Sequence, residues 1–240
     1  KVISENDLSV LKMKKIDLSH YKQIVHIGNI NGCYSALMKY FKNGLNDDYL
    51  YIFCGNLIGN GIENAEVVKF MLSIYEKPNV YILEAPTSRY LWNIANGEIP
   101  RRDALAKHLV SELKGFNDKH LRMLYRKFGQ CAWYSYHNND FIVSAGNIPA
   151  ASVNLTFVPT SQLVYGVGSN EDLDKVADAW INKTADNFYN INSRKNITGA
   201  PIQLNDRMFN LDNGVEYGGK LRILEIGKNC ISKIEIENDV

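Results

Sequence analysis

The chain carries almost no net charge: 27 Lys and Arg stand against 26 Asp and Glu, leaving +1 over 240 residues. So balanced a protein has no global field to draw it toward nucleic acid or an anionic membrane. Its four cysteines, Cys33, Cys54, Cys131 and Cys230, form no CxxC or CxxH pair. That spacing argues against a disulfide framework and a zinc site, and for reduced, mostly buried thiols in a cytoplasmic protein. No apolar run approaches the roughly 18 residues of a membrane span, and no signal peptide is visible, so neither membrane nor secretion is expected. Internal repeats and low-complexity linkers are missing too. Three Asn-x-Ser/Thr triplets, at Asn154, Asn182 and Asn196, are chance matches in an asparagine-rich chain. The abundance of Asn, Lys, Ile and Tyr suits AT-rich coding DNA, as in a low-GC bacterium or its phage.

What is present describes an ordinary globular core. Hydrophobic residues at 45% and charged residues at 22% are enough to bury one in a chain of this length. Residues 1–15 are polar and lysine-bearing and read as a lead-in; residues 16–238 read as one domain with a helical insert at about 95–128. "QIVHIG" (23–28), "YLYIFCG" (49–55) and "VYILEA" (80–85) read as buried strands. Helices are predicted between them, at 33–44 with Leu37, Tyr40 and Phe41 on one face, and at 64–78 with Val67, Val68, Met71, Leu72 and Tyr75 on one face. A β-α-β-α-β order gives a parallel sheet built by right-handed crossovers. Residues 101–128 read as two basic helices around Gly115. Alternating strands return at 131–137, 140–146, 221–227 and 231–237, the last two joined by a short hairpin connection. A parallel half and an antiparallel half suggest an α/β fold of two mixed β-sheets packed as a sandwich and flanked by helices.

Two turns raise the functional question. "IVHIGNING" (24–32) and "FCGNLIGNG" (53–61) both run from a strand into a glycine-bracketed turn, where α/β proteins usually place charged chemistry. Here the turns carry Asn29, Asn31, Asn56 and Asn60 instead.

These segments resemble the calcineurin-like metallophosphoesterases. "IVHIGNINGCYSAL" is similar to their Gly-Asp-x-His-Gly motif, "YIFCGNLIGNG" to Gly-Asp-x-x-Asp-Arg-Gly, and "NVYILEAPTSRYLW" falls where Gly-Asn-His-Glu follows a strand. "DFIVSAGNIP" resembles the strand ending in a metal-binding His. "FYNINSRKN" and "FNLDNGVEYGGKLRILEI" resemble the closing segments of the bacterial and phage polynucleotide phosphatase branch, which is close to the serine/threonine phosphatases. The similarity runs in order from about residue 15 to residue 227.

The resemblance implies two metal ions held by Asp, His and Asn, a bridging Asp, and a His that protonates the leaving group. This chain departs at each of those places. Asn29 and Asn31 stand for the first Asp and His, Asn56 for the bridging Asp, and Gly59 and Asn60 for the next Asp and Arg. Pro86 and Thr87 stand for the Asn and His, Ser144 for the first late His, and Arg194 (or, in another alignment, Val167) for the second. Two divalent cations bring a charge that anionic oxygens and imidazoles must offset. Neutral amides, hydroxyls and an arginine cannot do so, and without metal there is no activated hydroxide. Asn replaces Asp almost isosterically, so Gly28, Gly32, Gly55 and Gly61 can hold the turns while the charge disappears. Carboxylates restored at Asn29 and Asn56 would be expected to face each other and destabilise the fold.

The leading expectation is a pseudoenzyme without metal or cofactor that binds another protein through the old cleft or the insert, as a phage or viral protein directed at a host target would. A nucleic-acid-binding module is the alternative, with phosphate contacts from Arg89, Arg101, Arg102, Arg122, Arg126, Lys127, Arg194 and Lys195. Of these, Arg89, Arg122, Arg126, Arg194 and Lys195 are the main binding candidates. Residual metal-dependent phosphatase activity is a third reading. For a metal-free reaction His26, His137 and Asp212 are the stray candidates, each read as structural.

Overall fold

The computed structural model describes residues 15–100, 102–150 and 158–239. The lead-in up to residue 14, Arg101 and Asn154 lie outside the described residues. Lys15 is already fastened, its ammonium 2.9 Å from Asp140.

Period-two alternation decides which way each strand faces. In β2 (Gln23–Ile27), Val25 and Ile27 point toward helices while Ile24 points the other way, into a second sheet. β3 (Tyr49–Phe53), β4 (Val80–Leu83) and β5 (Phe128–Gly129) follow β2 in parallel register. The first crossovers run through α1 (Tyr34–Phe41) and α2 (Asn64–Ile74), as the apolar spacing predicts. The connection from β4 to β5 is the helical insert: α3 (Arg89–Ala95), α4 (Ala104–Glu112) and α5 (Asp118–Tyr125). The first of these was not read from the sequence; its seven residues are too few to show a helical period.

The second sheet has the order β1 (Ile16–Asp17), β6 (Ala132–Tyr136), β7 (Asn139–Ser144), β8 (Phe188–Asn192), β10 (Met208–Asn210), β9 (Gln203–Asn205). From β7 the chain passes through α6 (Thr160–Tyr165) and α7 (Leu173–Lys183) to reach β8, which pairs with it in parallel.

The halves do not divide into one parallel and one antiparallel sheet. The closing hairpin, β11 (Lys220–Gly227) and β12 (Cys230–Glu237), joins the first sheet, with β11 antiparallel to β2. β11 is apolar on both faces: Leu221 and Ile223 reach the helix-side core, and Leu224 and Ile226 the core between the sheets. Such a strand needs cover on both sides and takes an interior place, while charged β12 forms the exposed edge.

Three cores result. Ile24, Ile52 and Leu224 meet Tyr134, Phe141, Ile191 and Phe209 between the sheets. Phe41, Val67, Met71 and Leu109 pack outside the first sheet, and Trp180, Phe188 and Met208 outside the second. Each such side chain contributes about 1.5–3 kcal/mol by burial. Among the described residues no helix is long and apolar enough to cross a membrane. Cys33, Cys54 and Cys131 are buried and Cys230 is exposed.

A candidate binding cleft

The two glycine-bracketed turns are zipped together by backbone hydrogen bonds. Ile30 and Asn31 donate their N–H groups to Asn56 O at 2.8 and 2.9 Å, and Gly61 N donates to Asn31 O at 2.8 Å. Of the four bracketing glycines only Gly32 has a positive φ, 81°; Gly55 is required by close approach, since a Cβ there would meet Asn29 Oδ1 at 2.4 Å. Asn31 itself is left-handed, φ 49°, a conformation asparagine tolerates better than most residues.

A cleft of about 640 Å³ opens over these turns, within the range of ligand pockets. Asn29, Asn31, Asn56, Asn60, Pro86, Thr87 and Arg194 all line it. Ser144 does not: it is fully buried, donates its hydroxyl to Gly146 O, and leaves its neighbour Ala145 on the wall. The two alignments of the last motif lead to one place, because the Arg194 guanidinium donates to Val167 O and Gly168 O.

The cleft is not free of carboxylates. Asp212 and Glu216, from the segment between β10 and β11, reach in from the opposite wall. Asn29 Nδ2 donates to Asp212 Oδ1 at 2.6 Å and to Ser193 O at 2.9 Å. Asn31 Nδ2 donates to Glu216 Oε2 at 2.8 Å. Both amides therefore act as donors, a role that an ionised Asp could not fill at position 29. Asp212 also accepts from Asn196 N at 2.8 Å. Burial raises its pKa, and the bonds from Asn196 and Asn29 pull it back in part. Burial likewise raises Glu216, against the Asn31 bond. Glu216 is not among the candidates the sequence points to, and Asp212 is among them only as a stray turn residue. The available signal was "DNGVEYGG", another glycine-bracketed turn: Val215–Tyr217 is a single 3-10 turn between left-handed Gly214 (φ 58°) and Gly218 (φ 87°).

Arg194 is 5% exposed and holds four bonds: to Asn170 Oδ1 at 3.1 Å, Asn147 Oδ1 at 2.8 Å, Val167 O and Gly168 O. Burial lowers its pKa. It is spent on the loop after α6 rather than offered to a ligand. Arg122 is likewise tied to Ala95 O at the end of α3. The insert is fastened to the second turn by His108 Nε2, 2.9 Å from Gly61 O, and by Glu112, which accepts from Asn64 N at 2.8 Å. Lys195 is exposed at the cleft, while Arg89 and Arg126 are exposed on the insert. His26 is sealed between the sheets, and His137 caps the β6–β7 hairpin, in a different part of the molecule from the cleft.

Neither a protein-family model nor a curated protein sequence matches this chain. Solved structures do match in shape. One, assigned provisionally as a diadenosine tetraphosphatase, shares 14% identity over 92% of this chain and 96% of its own, with TM-score 0.65. A serine/threonine phosphatase from Saccharomyces cerevisiae with similarity to human phosphatase PP5 shares 10% over 97% and 87%, with TM-score 0.64. A metallophosphoesterase from Sphaerobacter thermophilus shares 10% over 91% and 89%, with TM-score 0.51. Two mixed six-stranded sheets with flanking helices are the calcineurin-like phosphoesterase fold.

That fold implies a pair of metal ions, and the donors present do not fit one. Asn29 Oδ1 is taken by Asn56 N at 2.8 Å, Asn56 Oδ1 by Thr87 N at 3.1 Å, and the Thr87 hydroxyl donates to Ile58 O at 2.6 Å. Pro86 brings no side-chain donor, and Arg194 brings positive charge. Among the described residues no three His, Cys, Asp or Glu side chains form a group that could hold a metal ion.

Proposed function

We propose that this phosphoesterase-fold protein is a pseudoenzyme that acts by binding another protein at the mouth of the former catalytic cleft. The observation that carries this reading is the contrast between floor and rim. On the floor, Asn29 and Asn31 satisfy Asp212 and Glu216 internally, so amide–carboxylate pairs stand where the family places metal ligands. At the rim, Tyr165, Ile197 and Tyr217 line the cleft and are 61%, 51% and 69% exposed. Large apolar side chains grouped around a concavity mark an interaction site, and tyrosines are frequent anchors in such surfaces.

Two measurements test the reading. Purified protein supplied with Mn, Fe, Zn or Ni should retain no stoichiometric metal and should not hydrolyse aryl phosphates or phosphodiesters. About two tightly held metals per chain, with turnover, would overturn it. A photo-crosslinking residue placed at Tyr217 should capture a defined protein in extract of the native host. The same group at exposed Lys233, on the edge strand, should not. Equal capture from both positions would remove the case for the rim.

A further inference from the structure

Beside the cleft lies a second depression, of about 410 Å³, lined by Arg89, Trp92, Tyr125, Arg126 and Phe128. Its floor is a built aromatic surface: Trp92 and Tyr125 have ring centroids 5.7 Å apart, and Tyr125 and Phe128 5.6 Å. The Arg126 guanidinium lies 6.0 Å from the Trp92 ring centroid, a cation–π contact that holds it over the floor. Both arginines are exposed, and neither has a carboxylate within ion-pair distance among the described residues. The nearby acid, Glu84, accepts the Tyr125 hydroxyl at 2.8 Å.

Shared lining residues lead from this depression to the cleft. Arg89 also borders a shallow passage whose walls include Pro86, Val164 and Tyr165, and those three residues line the cleft as well. A trench therefore runs from the apolar rim, past Tyr165, to the two arginines. Building on the protein-binding reading above, we propose that it takes an extended segment of the partner protein. An acidic side chain of that segment sits between Arg89 and Arg126, and an apolar one rests near Tyr165. Arginine pairs a carboxylate bidentately, and a guanidinium already stacked on an aromatic ring loses little freedom in doing so. A polynucleotide is a poorer occupant. It needs a row of cations along its phosphates, whereas Arg122 and Arg194 are bonded internally and the cleft end presents Asp212 and Glu216.

The test is selection of displayed short random peptides against the 240-residue chain. Enriched peptides should carry Asp or Glu near an aromatic or aliphatic residue. Arg89→Ala with Arg126→Ala should weaken them about tenfold or more. Arg89→Glu with Arg126→Glu should turn the preference toward Lys and Arg. Both side chains are exposed, so the variants should melt with the parent. Peptides that ignore the arginine changes but are lost in Tyr165→Ala would overturn the acidic anchor and leave the cleft reading standing. Arginine-dependent peptides indifferent to Tyr165→Ala would keep the anchor and count against the apolar contact at the rim. Displacement of the peptides by oligothymidylate at physiological salt would assign the trench to nucleic acid and overturn the proposal.

Discussion

Asn29→Asp should cost about 3–5 kcal/mol at neutral pH, the range for leaving a buried charge without its partner. That is a large fraction of the roughly 5–15 kcal/mol that holds a typical domain together. The substitution keeps the acceptor that receives Asn56 N, but it replaces the donor with a second oxygen. That oxygen would face Asp212 Oδ1, now 2.6 Å from Nδ2, and Ser193 O at 2.9 Å. Asn29 and Asp212 are both buried at the cleft floor, so water screens them little. Two carboxylates in contact raise each other's folded-state pKa above the unfolded value of about 3.9. Asp212 is already raised by its burial. The penalty is thus absent well below pH 4, grows as pH rises through the unfolded pKa, and levels off above the folded one. Denaturant melts of variant and parent, compared at each pH from 4 to 8, would show the difference widening upward. Adding Asp212→Asn should recover most of the loss, because it restores a donor to the pair. A variant as stable as the parent at pH 7.5 would mean that Asp212 does not oppose position 29. The expectation that carboxylates at positions 29 and 56 would face each other is replaced by this one. Asn29 Oδ1 meets the backbone of Asn56, while the Asn56 side chain turns to Thr87 N. Asn56→Asp keeps that acceptor and should be much milder.

Acidification should destabilise the parent through His26. The imidazole is fully buried, with Nδ1 3.1 Å from Leu224 O and Nε2 2.8 Å from the Tyr134 hydroxyl. A carbonyl can only accept, so Nδ1 carries the proton and Nε2 accepts from Tyr134. A second proton would force the Tyr134 hydroxyl to turn and accept, which takes its own hydrogen away from the only ring nitrogen it serves. Burial pushes the pKa from 6.5 down to about 4. The unfolded chain takes up a proton near pH 6.5 while the folded chain refuses it. The stability is therefore complete above pH 6.5 and lost as pH falls toward 4. Each tenfold difference in proton affinity is worth about 1.4 kcal/mol, so the loss is about 3 kcal/mol. Asp212 and Glu216, both raised by burial, act in the opposite sense over this range. The comparison that isolates His26 is therefore with His26→Gln, whose amide can meet the same two partners and does not titrate. Its melts should lose less stability on acidification than those of the parent. Equal losses, or an NMR titration of the native imidazole near pH 6.5, would contradict the assignment.

The elements themselves were legible in the sequence because they depend on near neighbours. The short apolar run in "QIVHI" and the Val67, Val68, Met71 spacing place strands and helices without reference to the rest of the chain. The two asparagine turns were visible for the same reason: glycines and the strand before each turn lie within a few residues. Where β11 would pair was not, because an apolar strand states only that it must be covered on both faces, not by which sheet. Nor could the sequence show what the asparagines do. Asn29 and Asp212 are 183 residues apart, and Asn31 and Glu216 are 185 apart. Read along the chain, the amides record only a lost charge. The stacked sheets bring the β10–β11 segment over the first turn, and there the same amides become the donors that keep the buried Asp212 and the half-buried Glu216 in place. A residue's type sets what it can donate or accept, but only the packing of distant loops decides what stands opposite it.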